Sequence, residues 1–328
     1  MKALLFSDIH FGLNLDNPIF YQINLDLFEW IKNEAKNREI ETIIILGDVF
    51  HNRKNINLLT LKNCFDCFSK LNSFKIHILT GNHDCYYLDN SEHHSLDFFK
   101  GWNNIEIYDK ISYRKMFNRQ IVFIPWSGKY LTEKVAPCDL ALGHFELTGF
   151  EYGSALVKDG TSTAIFEGTP LVLSGHFHKY QKQIRPESQI IYLGSPYQHN
   201  WGELEEKYIH VLDFNTMELE SIKNEISPKH IKITKVGDVK KLKQNQFVKL
   251  ILNEDNQKLK TLVLEKSPLD IQIELNLTKE IKATVKEFKS VDALSTIDEF
   301  INGMVIDDDL KKVLLAKNNL ICKEVGLI

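Results

Sequence analysis

Residues 2–10 read KALLFSDIH, a short apolar run that leads directly into Asp8 and His10. Runs of this length that are rich in apolar residues and end at a polar residue are typical of strands buried inside a sheet. The two polar residues are two positions apart, so in extended backbone their side chains point to the same side of the chain. This stretch therefore predicts a buried strand that ends at a polar site.

The same pattern recurs through the first 200 residues. The first run is followed by six more apolar runs of strand length, at residues 42–46, 76–79, 121–124, 140–142, 171–173 and 190–193. Two stretches with apolar residues at helical spacing, 24–36 and 58–71, lie between the early runs. Strands that alternate with helices indicate a layered α/β domain, which we assign to residues 1–213.

Five of the strand-like runs end in residues of the types that commonly bind metal ions. In open α/β sheets, ligands bind outside the carboxyl ends of the strands, so these residues are expected to converge on one rim. A glycine before the polar residue lets the chain turn tightly beneath an ion. Each motif alone has an ordinary structural explanation, and it is their order that indicates a metal site. The predicted ligands are Asp8, His10, Asp48, Asn82, His144, His176 and His178, and Gly47, Gly81, Gly143 and Gly175 each precede one of them.

The number of ligands indicates two ions. If one carboxylate bridges two ions, the seven ligands make eight bonds to metal, four for each ion. Asp48 is the natural bridging carboxylate, because Asp8 is already paired with His10. Two ions about 3.5–4 Å apart form the clamp that is used for in-line displacement at phosphorus. Imidazole, carboxylate and amide oxygen suit manganese, iron or zinc. We therefore expect two divalent ions, and the donor set leaves manganese, iron and zinc open.

Other polar residues near these motifs are candidates for the chemistry itself. His83 is not needed as a ligand, and we expect it to protonate the leaving oxygen or to stabilise the transition state. Asp84 is expected to hold the imidazole of His83 in its orientation. His51 and Arg53 lie just beyond Asp48 and are candidates for contact with the scissile phosphate or its neighbour.

Taken in order, the motifs Asp8-x-His10, Gly47-Asp48, Gly81-Asn82-His83-Asp84, Gly143-His144 and Gly175-His176-x-His178 resemble those of the metallophosphoesterase superfamily. Within it, the chain looks most like the SbcD/Mre-type nuclease subunit of the SbcCD DNA repair complex and its relatives, including those of tailed phages. The segments 47–51 and 192–196 resemble the second and the closing motif of that branch. The Asp-Arg-Gly that follows the aspartate in protein phosphatases is absent here.

This resemblance implies a layered metallophosphoesterase β-sandwich flanked by helices. It implies a manganese-dependent DNA nuclease for double-strand-break repair and recombination, with 3′-5′ exonuclease activity on double strands and endonuclease activity on single strands. It also implies a homodimer with an SbcC-type ABC ATPase partner. It implies two Mn²⁺ ions, with Mg²⁺, Fe²⁺ or Zn²⁺ as alternatives. It assigns one ion to Asp8, His10, Asp48 and His178, and the other to Asp48, Asn82, His144 and His176.

The chain changes character after residue 213. Residues 214–285 are rich in lysine and combine strand-like pieces with a helical piece at 256–265, which indicates a small α+β capping domain. Residues 229–249 contain seven lysines against one acid, Asp238. A phosphate-contacting surface and a solvated basic face explain this pattern equally well, and the former would bind DNA less tightly at high salt.

Two further segments are candidates for contacts with substrate or partner. His199 and Trp201 lie in a loop whose aromatic rings could stack on a frayed base, and packing between domains is the alternative. Residues 286–328 show two amphipathic helical patterns, which predict a helical hairpin. This hairpin either docks in a groove of a partner or packs on its own domain, and the resemblance favours docking on the ATPase.

Composition sets only broad limits. The chain has 328 residues and a net charge of −4, which argues mildly against a nucleic-acid binder without excluding one, because steering needs only a local patch. Apolar runs are far too short to span a bilayer, and Asp8 interrupts the N-terminal run too early for a signal peptide. The five scattered cysteines indicate a reducing compartment, and the Cys64–Cys67 pair is expected to be two ordinary thiols. We expect a cytoplasmic protein, in the host cytoplasm if it is viral.

Two other functions fit parts of the pattern. A small-molecule phosphodiesterase or phosphatase of the same superfamily would share every metal ligand. A non-catalytic scaffold would keep the fold without the chemistry. The lysine-rich and amphipathic segments after residue 213 favour a large substrate and a partner, and the complete ligand set with His83 disfavours the scaffold.

Overall fold

The computed structural model describes residues 1–131, 134–153, 155–252, 257–275, 298, 301–302 and 308–324. The chain divides into two compact units, Met1–Asn276 and Leu277–Ile328. The first unit contains two six-stranded sheets and a three-stranded sheet, together with helices that cover one face. This architecture confirms the predicted α/β sandwich with flanking helices.

The first sheet is built around four parallel strands in the order β1-β2-β3-β4. Two antiparallel strands extend it beyond β1, first β13 and then β14. Its strands are β1 (Lys2–Phe6), β2 (Thr42–Ile45), β3 (Lys75–Leu79), β4 (Ile105–Tyr108), β13 (Tyr208–Asp213) and β14 (Glu218–Lys223). The register aligns Phe6 with Ile45, so neighbouring strands end at the same level.

The second sheet has the same plan, with four parallel strands in the order β12-β10-β7-β6 and antiparallel strands β11 and β5 at its two edges. The register pairs Gly175 with His144, which brings the ends of β10 and β7 side by side. Its strands are β5 (Ser112–Met116), β6 (Arg119–Ile124), β7 (Leu140–His144), β10 (Leu171–Gly175), β11 (Gln181–Ile184) and β12 (Gln189–Tyr192). A two-stranded hairpin, β8 (Glu151–Tyr152) and β9 (Ala155–Leu156), follows β7.

The two sheets pack face to face, because their central strands are apolar on both faces. In β1, Ala3 and Leu5 belong to the core between the sheets, whereas Leu4 and Phe6 belong to the core beneath the helices. Helices α1 (Ile19–Asn37) and α2 (Leu58–Ser69) cover that outer face. Helix α2 begins after Asn57, whose side chain caps it by accepting a hydrogen bond from the Leu59 amide at 2.9 Å.

All seven predicted strand runs of the first domain are strands, and both helical stretches are helices. The sequence patterns did not reveal β4, β5, β11, β13 and β14. Most of these lie at sheet edges, and β14 has only exposed and half-buried residues, without an apolar run. Edge strands bury only one face or none, so their apolar signal is weak.

A smaller sheet follows the sandwich within the first unit. Strands β15 (His230–Ile233), β16 (Phe247–Leu252) and β17 (Asp270–Leu275) are parallel in that order, and helix α3 (Gln257–Leu264) packs beside them. The expected strands and helix of the α+β region are therefore present. Strand β14 belongs to the first sheet, so the chain leaves that sheet after Lys223. The division of the chain at residues 213 and 285 stays a prediction.

In the second unit, the structure describes helix α4 (Asp308–Glu324), which fits the second helix of the predicted hairpin. The first predicted helix, which was expected to begin at about residue 291, lies mostly outside the described residues. In the described part of the chain, no helix is both long and apolar enough to cross a bilayer. The four cysteines described at side-chain level, Cys64, Cys67, Cys85 and Cys138, are buried free thiols, as expected for the Cys64–Cys67 pair.

A buried histidine between the sheets makes stability depend on pH. His77 stacks on the rings of Tyr108 and Phe123, and burial lowers its pKa to about 4. The unfolded chain takes up this proton near its ordinary pKa of about 6.5, whereas the folded chain does not. Stability is therefore lost as the pH falls from about 6.5 towards about 4.

We expect His77→Phe to remove this part of the acid sensitivity. The free energy of unfolding of the wild type should fall, relative to that of the variant, by roughly 2 kcal/mol between about pH 7.5 and about pH 5. Urea unfolding at several pH values measures the difference. His93→Phe, at an exposed histidine, is the control. Parallel pH curves for wild type and His77→Phe would contradict the assignment.

Candidate metal centre

Left-handed backbone shapes the loops that follow the central strands. Asp8, His10, Asp48 and His176 have φ angles of 56°, 54°, 52° and 90°, which residues other than glycine rarely adopt. The amide of Asp8 donates to the carbonyl oxygen of Gly47 at 3.0 Å, and that of His10 to the carbonyl oxygen of Asp48 at 3.0 Å. The loops after β1 and β2 therefore run side by side, with their polar side chains on the rim.

Glycine is required where these loops touch. Gly47 has a φ of 91°, so its role as a turn residue is confirmed. Gly81 has an ordinary φ, but a Cβ atom there would overlap the carboxylate and the backbone nitrogen of Asp48. At Gly81, close approach of two loops, rather than a tight turn, excludes a side chain.

The predicted ligands separate into two groups that share Asp48. The first donor group contains Asp8, His10, Asp48 and His178, and the second donor group contains Asp48, Asn82, His144 and His176. These are the sets that the family resemblance assigns to the two ions.

In the first donor group, the Nε2 atoms of His10 and His178 are 3.1 Å apart. Nε2 of His10 lies 3.4 Å from Oδ2 of Asp48, and Nε2 of His178 lies 4.0 Å from Oδ1 of Asp8. Two nitrogens that each bind one ion at about 2.1 Å, at right angles, are about 3 Å apart. The donor atoms of this group therefore fit around one divalent ion.

In the second donor group, the side-chain oxygen of Asn82 is the common neighbour. It lies 3.0 Å from Nε2 of His144 and 2.8 Å from Nδ1 of His176. Nε2 of His144 is 3.5 Å from Oδ1 of Asp48, whereas Oδ2 of Asp48 faces the first donor group. The two oxygens of Asp48 thus face different groups, as a bridging carboxylate requires.

The electrostatics of the centre also fit a bound cation. The carboxylates of Asp8 and Asp48 are buried, and buried charges are normally paired or bound to metal ions. Burial lowers the pKa of His144, but Asp48 and Asp8 raise it more strongly, to about 9. In the protein alone, a proton on His144 thus compensates a negative charge that a divalent ion would otherwise neutralise.

His83 lies beside the donor groups, and its orientation corrects one expectation. Its Nδ1 atom donates to the backbone carbonyl oxygen of His51 at 2.6 Å, so this carbonyl, and not Asp84, orients the imidazole. The buried carboxylate of Asp84 instead accepts from the amides of Phe50 at 3.0 Å and Gly81 at 2.9 Å. Asp84 is fully buried, and its contacts hold together the two loops that carry Asp48 and Asn82.

Sequence patterns did not reveal the residues that support His178. Nδ1 of His178 pairs with Oε1 of Glu203 at 2.7 Å, and Glu203 also pairs with the buried Lys207 at 2.7 Å. A carboxylate on the far ring nitrogen is the usual support of a metal-binding histidine. Glu203 is 25 residues further along the chain, so no local spacing indicates this contact.

The remaining candidates take three different positions. His51 is half-buried beside the centre, with its ring stacked on that of His83 at 5.4 Å, and Arg53 is partly exposed on the same loop. Trp201 packs against His230 and lies beneath the amino group of Lys249, so it contacts the three-stranded sheet region. His199 is buried against the rings of His10 and His178.

The fold and the two donor groups fit a metal-dependent phosphoesterase. A family model for calcineurin-like phosphoesterases matches residues 1–180. The chain therefore belongs to the calcineurin-like phosphoesterase family, whose members use divalent metal ions.

The similar proteins include viral ones. Exonuclease subunit 1 of enterobacteria phage T4 is 25% identical over 337 residues, which is 98% of each chain. A phosphoesterase designated 244L of invertebrate iridescent virus 6 is 26% identical over 80% of this chain and 93% of its own. The expected similarity to phage-type nucleases is thus confirmed. A solved structure described as a novel archaeal phosphodiesterase covers 68% of this chain and all of its own, with 17% identity and a TM-score of 0.38.

We expect Gly81→Ala to disable the centre. The added methyl group displaces the carboxylate of Asp48 or the loop of Asn82, and a shift of about 1 Å at a reacting group costs roughly 100-fold in rate. Hydrolysis of bis(p-nitrophenyl) phosphate and binding of Mn²⁺ by calorimetry measure the effect. Gly237→Ala is the matched control, since a Cβ there meets no atom within 4 Å. Normal Mn²⁺ binding and hydrolysis in Gly81→Ala would show that the loops do not need this contact.

Proposed function

We propose that this protein is a two-metal-dependent DNA nuclease with 3′-5′ exonuclease activity on double strands and endonuclease activity on single strands. The observation that supports it best is the arrangement of seven donors in two groups around Asp48. Two ions held in this way, which we take to be Mn²⁺, would polarise the phosphoryl oxygens and lower the pKa of an attacking water. The proposed ligands are those of the two donor groups.

His83 has a different task in this proposal. The carbonyl oxygen of His51 can only accept, so Nδ1 of His83 carries the hydrogen and the ring cannot rotate freely. To act as the acid the ring must carry a second hydrogen on Nε2, so it would act as the imidazolium, and Nε2 would give this proton to the leaving oxygen while Nδ1 keeps its own. His51 stacks on this ring, and both residues lie where the loop after β2 borders the centre.

Support for DNA as the substrate comes from outside the centre. A T4 protein named as an exonuclease subunit aligns with this chain over nearly its whole length, including the lysine-rich region. Several of the lysines there pair with acids, for example Lys249 with Glu274 at 3.0 Å. Lys240 and Lys243 are exposed on the same region and are available to contact phosphates.

The proposal includes partners. The T4 relative is named as a subunit, which supports a nuclease complex of more than one chain. We propose that the partner is an SbcC-type ABC ATPase that docks on the C-terminal helical segment, that two copies of this chain form a homodimer, and that the complex acts in double-strand-break repair and recombination in the cytoplasm. Sedimentation of the purified chain, with and without the ATPase, tests both contacts.

The second candidate is a small-molecule phosphodiesterase or phosphatase. The metal centre is equally suited to it, because ions held by the donor groups would act on the phosphoryl group and not on the rest of the substrate. The relative from iridescent virus 6 is named only as a phosphoesterase, which leaves its substrate open. Cleavage of DNA is therefore the measurement that separates the two functions.

We expect His83→Ala to abolish most of the cleavage of end-labelled duplex DNA in the presence of Mn²⁺. General acid catalysis contributes roughly 10²–10⁴-fold, so the rate should fall at least about 100-fold while Mn²⁺ still binds. Gel analysis of released nucleotides gives the rate, and calorimetry gives the bound metal. His93→Ala, at an exposed histidine, is the matched control.

Two results would contradict this proposal in different ways. Full activity of His83→Ala would remove only the role of His83. A wild type that leaves DNA intact, alone and with an ATPase partner and ATP, yet hydrolyses a small phosphodiester would favour the small-molecule enzyme.

The double variant Lys240→Ala/Lys243→Ala tests the basic surface. If both lysines contact phosphates, the KM for duplex DNA should rise and the salt dependence of log KM should weaken by about 2, since each contact contributes about 0.9. Hydrolysis of bis(p-nitrophenyl) phosphate should not change. Lys62→Ala/Lys100→Ala, on the outer face of the sandwich, is the control. An unchanged salt dependence would show that these lysines form only a solvated face.

A further inference from the structure

His199 is a buried histidine whose ring nitrogens have no protein partner. It lies in the loop between β12 and β13 and is 1% exposed. Among the described residues, neither Nδ1 nor Nε2 finds a hydrogen-bond partner. A buried polar group without a partner destabilises the fold, so it needs an explanation.

The nearest carboxylate does not provide that partner. Oε1 of Glu203 lies 3.8 Å from Nδ1 of His199, which is too far for a hydrogen bond. The same oxygen is only 2.7 Å from Nδ1 of His178, with which it is already paired. Glu203 therefore supports His178, and the ring of His199 remains without a protein partner.

The surroundings of His199 point to a different ligand. Its ring lies edge-on to those of His10 and His178, at centroid distances of 5.2 and 4.7 Å. One nitrogen from each of the three rings lies within 4.8 Å of the others. Ligands on one ion at about 2.1 Å are about 3 Å apart when adjacent and about 4.2 Å apart when opposite. Three nitrogens at these distances fit one ion after small side-chain adjustments.

The loop of His199 is fixed in this position. The hydroxyl of Tyr197 donates to the carbonyl oxygen of Ile9 at 2.9 Å, which ties the loop to the backbone next to His10. The side-chain amide of Gln198, the residue directly before His199, donates to the carbonyl oxygen of Glu205 at 3.0 Å. These two contacts hold the backbone that leads into His199, so its ring is placed before any ion arrives, as a ligand should be.

We propose that His199 is a third imidazole ligand of the first donor group. This inference rests on the proposed two-ion centre and deepens it, because it makes the two ion sites unequal. The first donor group then offers three imidazoles, whereas the second offers two imidazoles and an amide oxygen. Imidazole favours Zn²⁺ and Fe²⁺ over Mg²⁺, so the first site should bind more tightly and discriminate more strongly between metals.

Calorimetric titration of the metal-free full chain with Mn²⁺, and separately with Zn²⁺, tests the inference without substrate. The wild type should bind two ions with unequal affinity. His199→Phe preserves the volume of the ring but offers no donor, and it should weaken the tighter site at least about tenfold while it leaves the weaker site unchanged. The loss should be larger for Zn²⁺ than for Mn²⁺.

A matched control and a second variant complete the test. His230→Phe removes another buried histidine, one that stacks on Phe247 outside the donor groups, and should leave both affinities unchanged. His199→Gln keeps an amide donor at the same place and should lie between His199→Phe and the wild type, which guards against a variant that fails to fold. Circular dichroism compares the folding of all four proteins.

The outcomes separate this inference from the proposed function. If folded His199→Phe and His199→Gln bind both ions as the wild type does, while the wild type cleaves DNA, only the role of His199 is overturned. If the wild type binds two ions but leaves DNA intact, the nuclease proposal fails while the role of His199 is still decided by the titrations. If the wild type binds fewer than two ions, both fail.

Discussion

The structure depends on the convergence of two sheets at the carboxylate of Asp48. Each sheet supplies parallel strands that end at the same rim, and contacts across the rim join them. The imidazole of His144, at the end of β7, bonds through Nδ1 to the carbonyl oxygen of Leu46 at 2.7 Å. The amide of His176, after β10, donates to both oxygens of Asp8 at 3.1 and 3.2 Å. Neither sheet alone could form either donor group, so the centre can assemble only where the two sheets pack together.

Much of this arrangement could be predicted from the sequence because it depends on local signals. A buried strand needs a continuous apolar run, and a ligand at its carboxyl end directly follows that run. The pairs Asp8/His10 and His176/His178 were therefore recognisable as candidate ligands, and the runs before them as strands. Helical periodicity located α1 and α2 for the same reason. The family resemblance added the grouping of the ligands, which spacing alone could not provide.

What the sequence could not reveal depends on contacts between distant residues or on backbone geometry. Glu203 supports His178, and the carbonyl oxygen of His51 orients His83, although neither contact has a local pattern. Asp84 was expected to orient the neighbouring imidazole because adjacent residues in a motif are easily assumed to interact. The left-handed backbone of Asp8 and Asp48 also leaves no compositional trace, because aspartate tolerates this conformation without requiring it.

That left-handed backbone makes the rim less stable locally than the sandwich beneath it. Non-glycine residues in this conformation cost roughly 1–3 kcal/mol each, and four of them lie in the loops of the centre. The apolar core between the sheets does not depend on those loops, so the rim can open while the core stays closed. Bound ions would then stabilise the closed conformation of the loops. Removal of the ions would accelerate amide hydrogen exchange at the rim, whereas exchange in the central strands would stay slow.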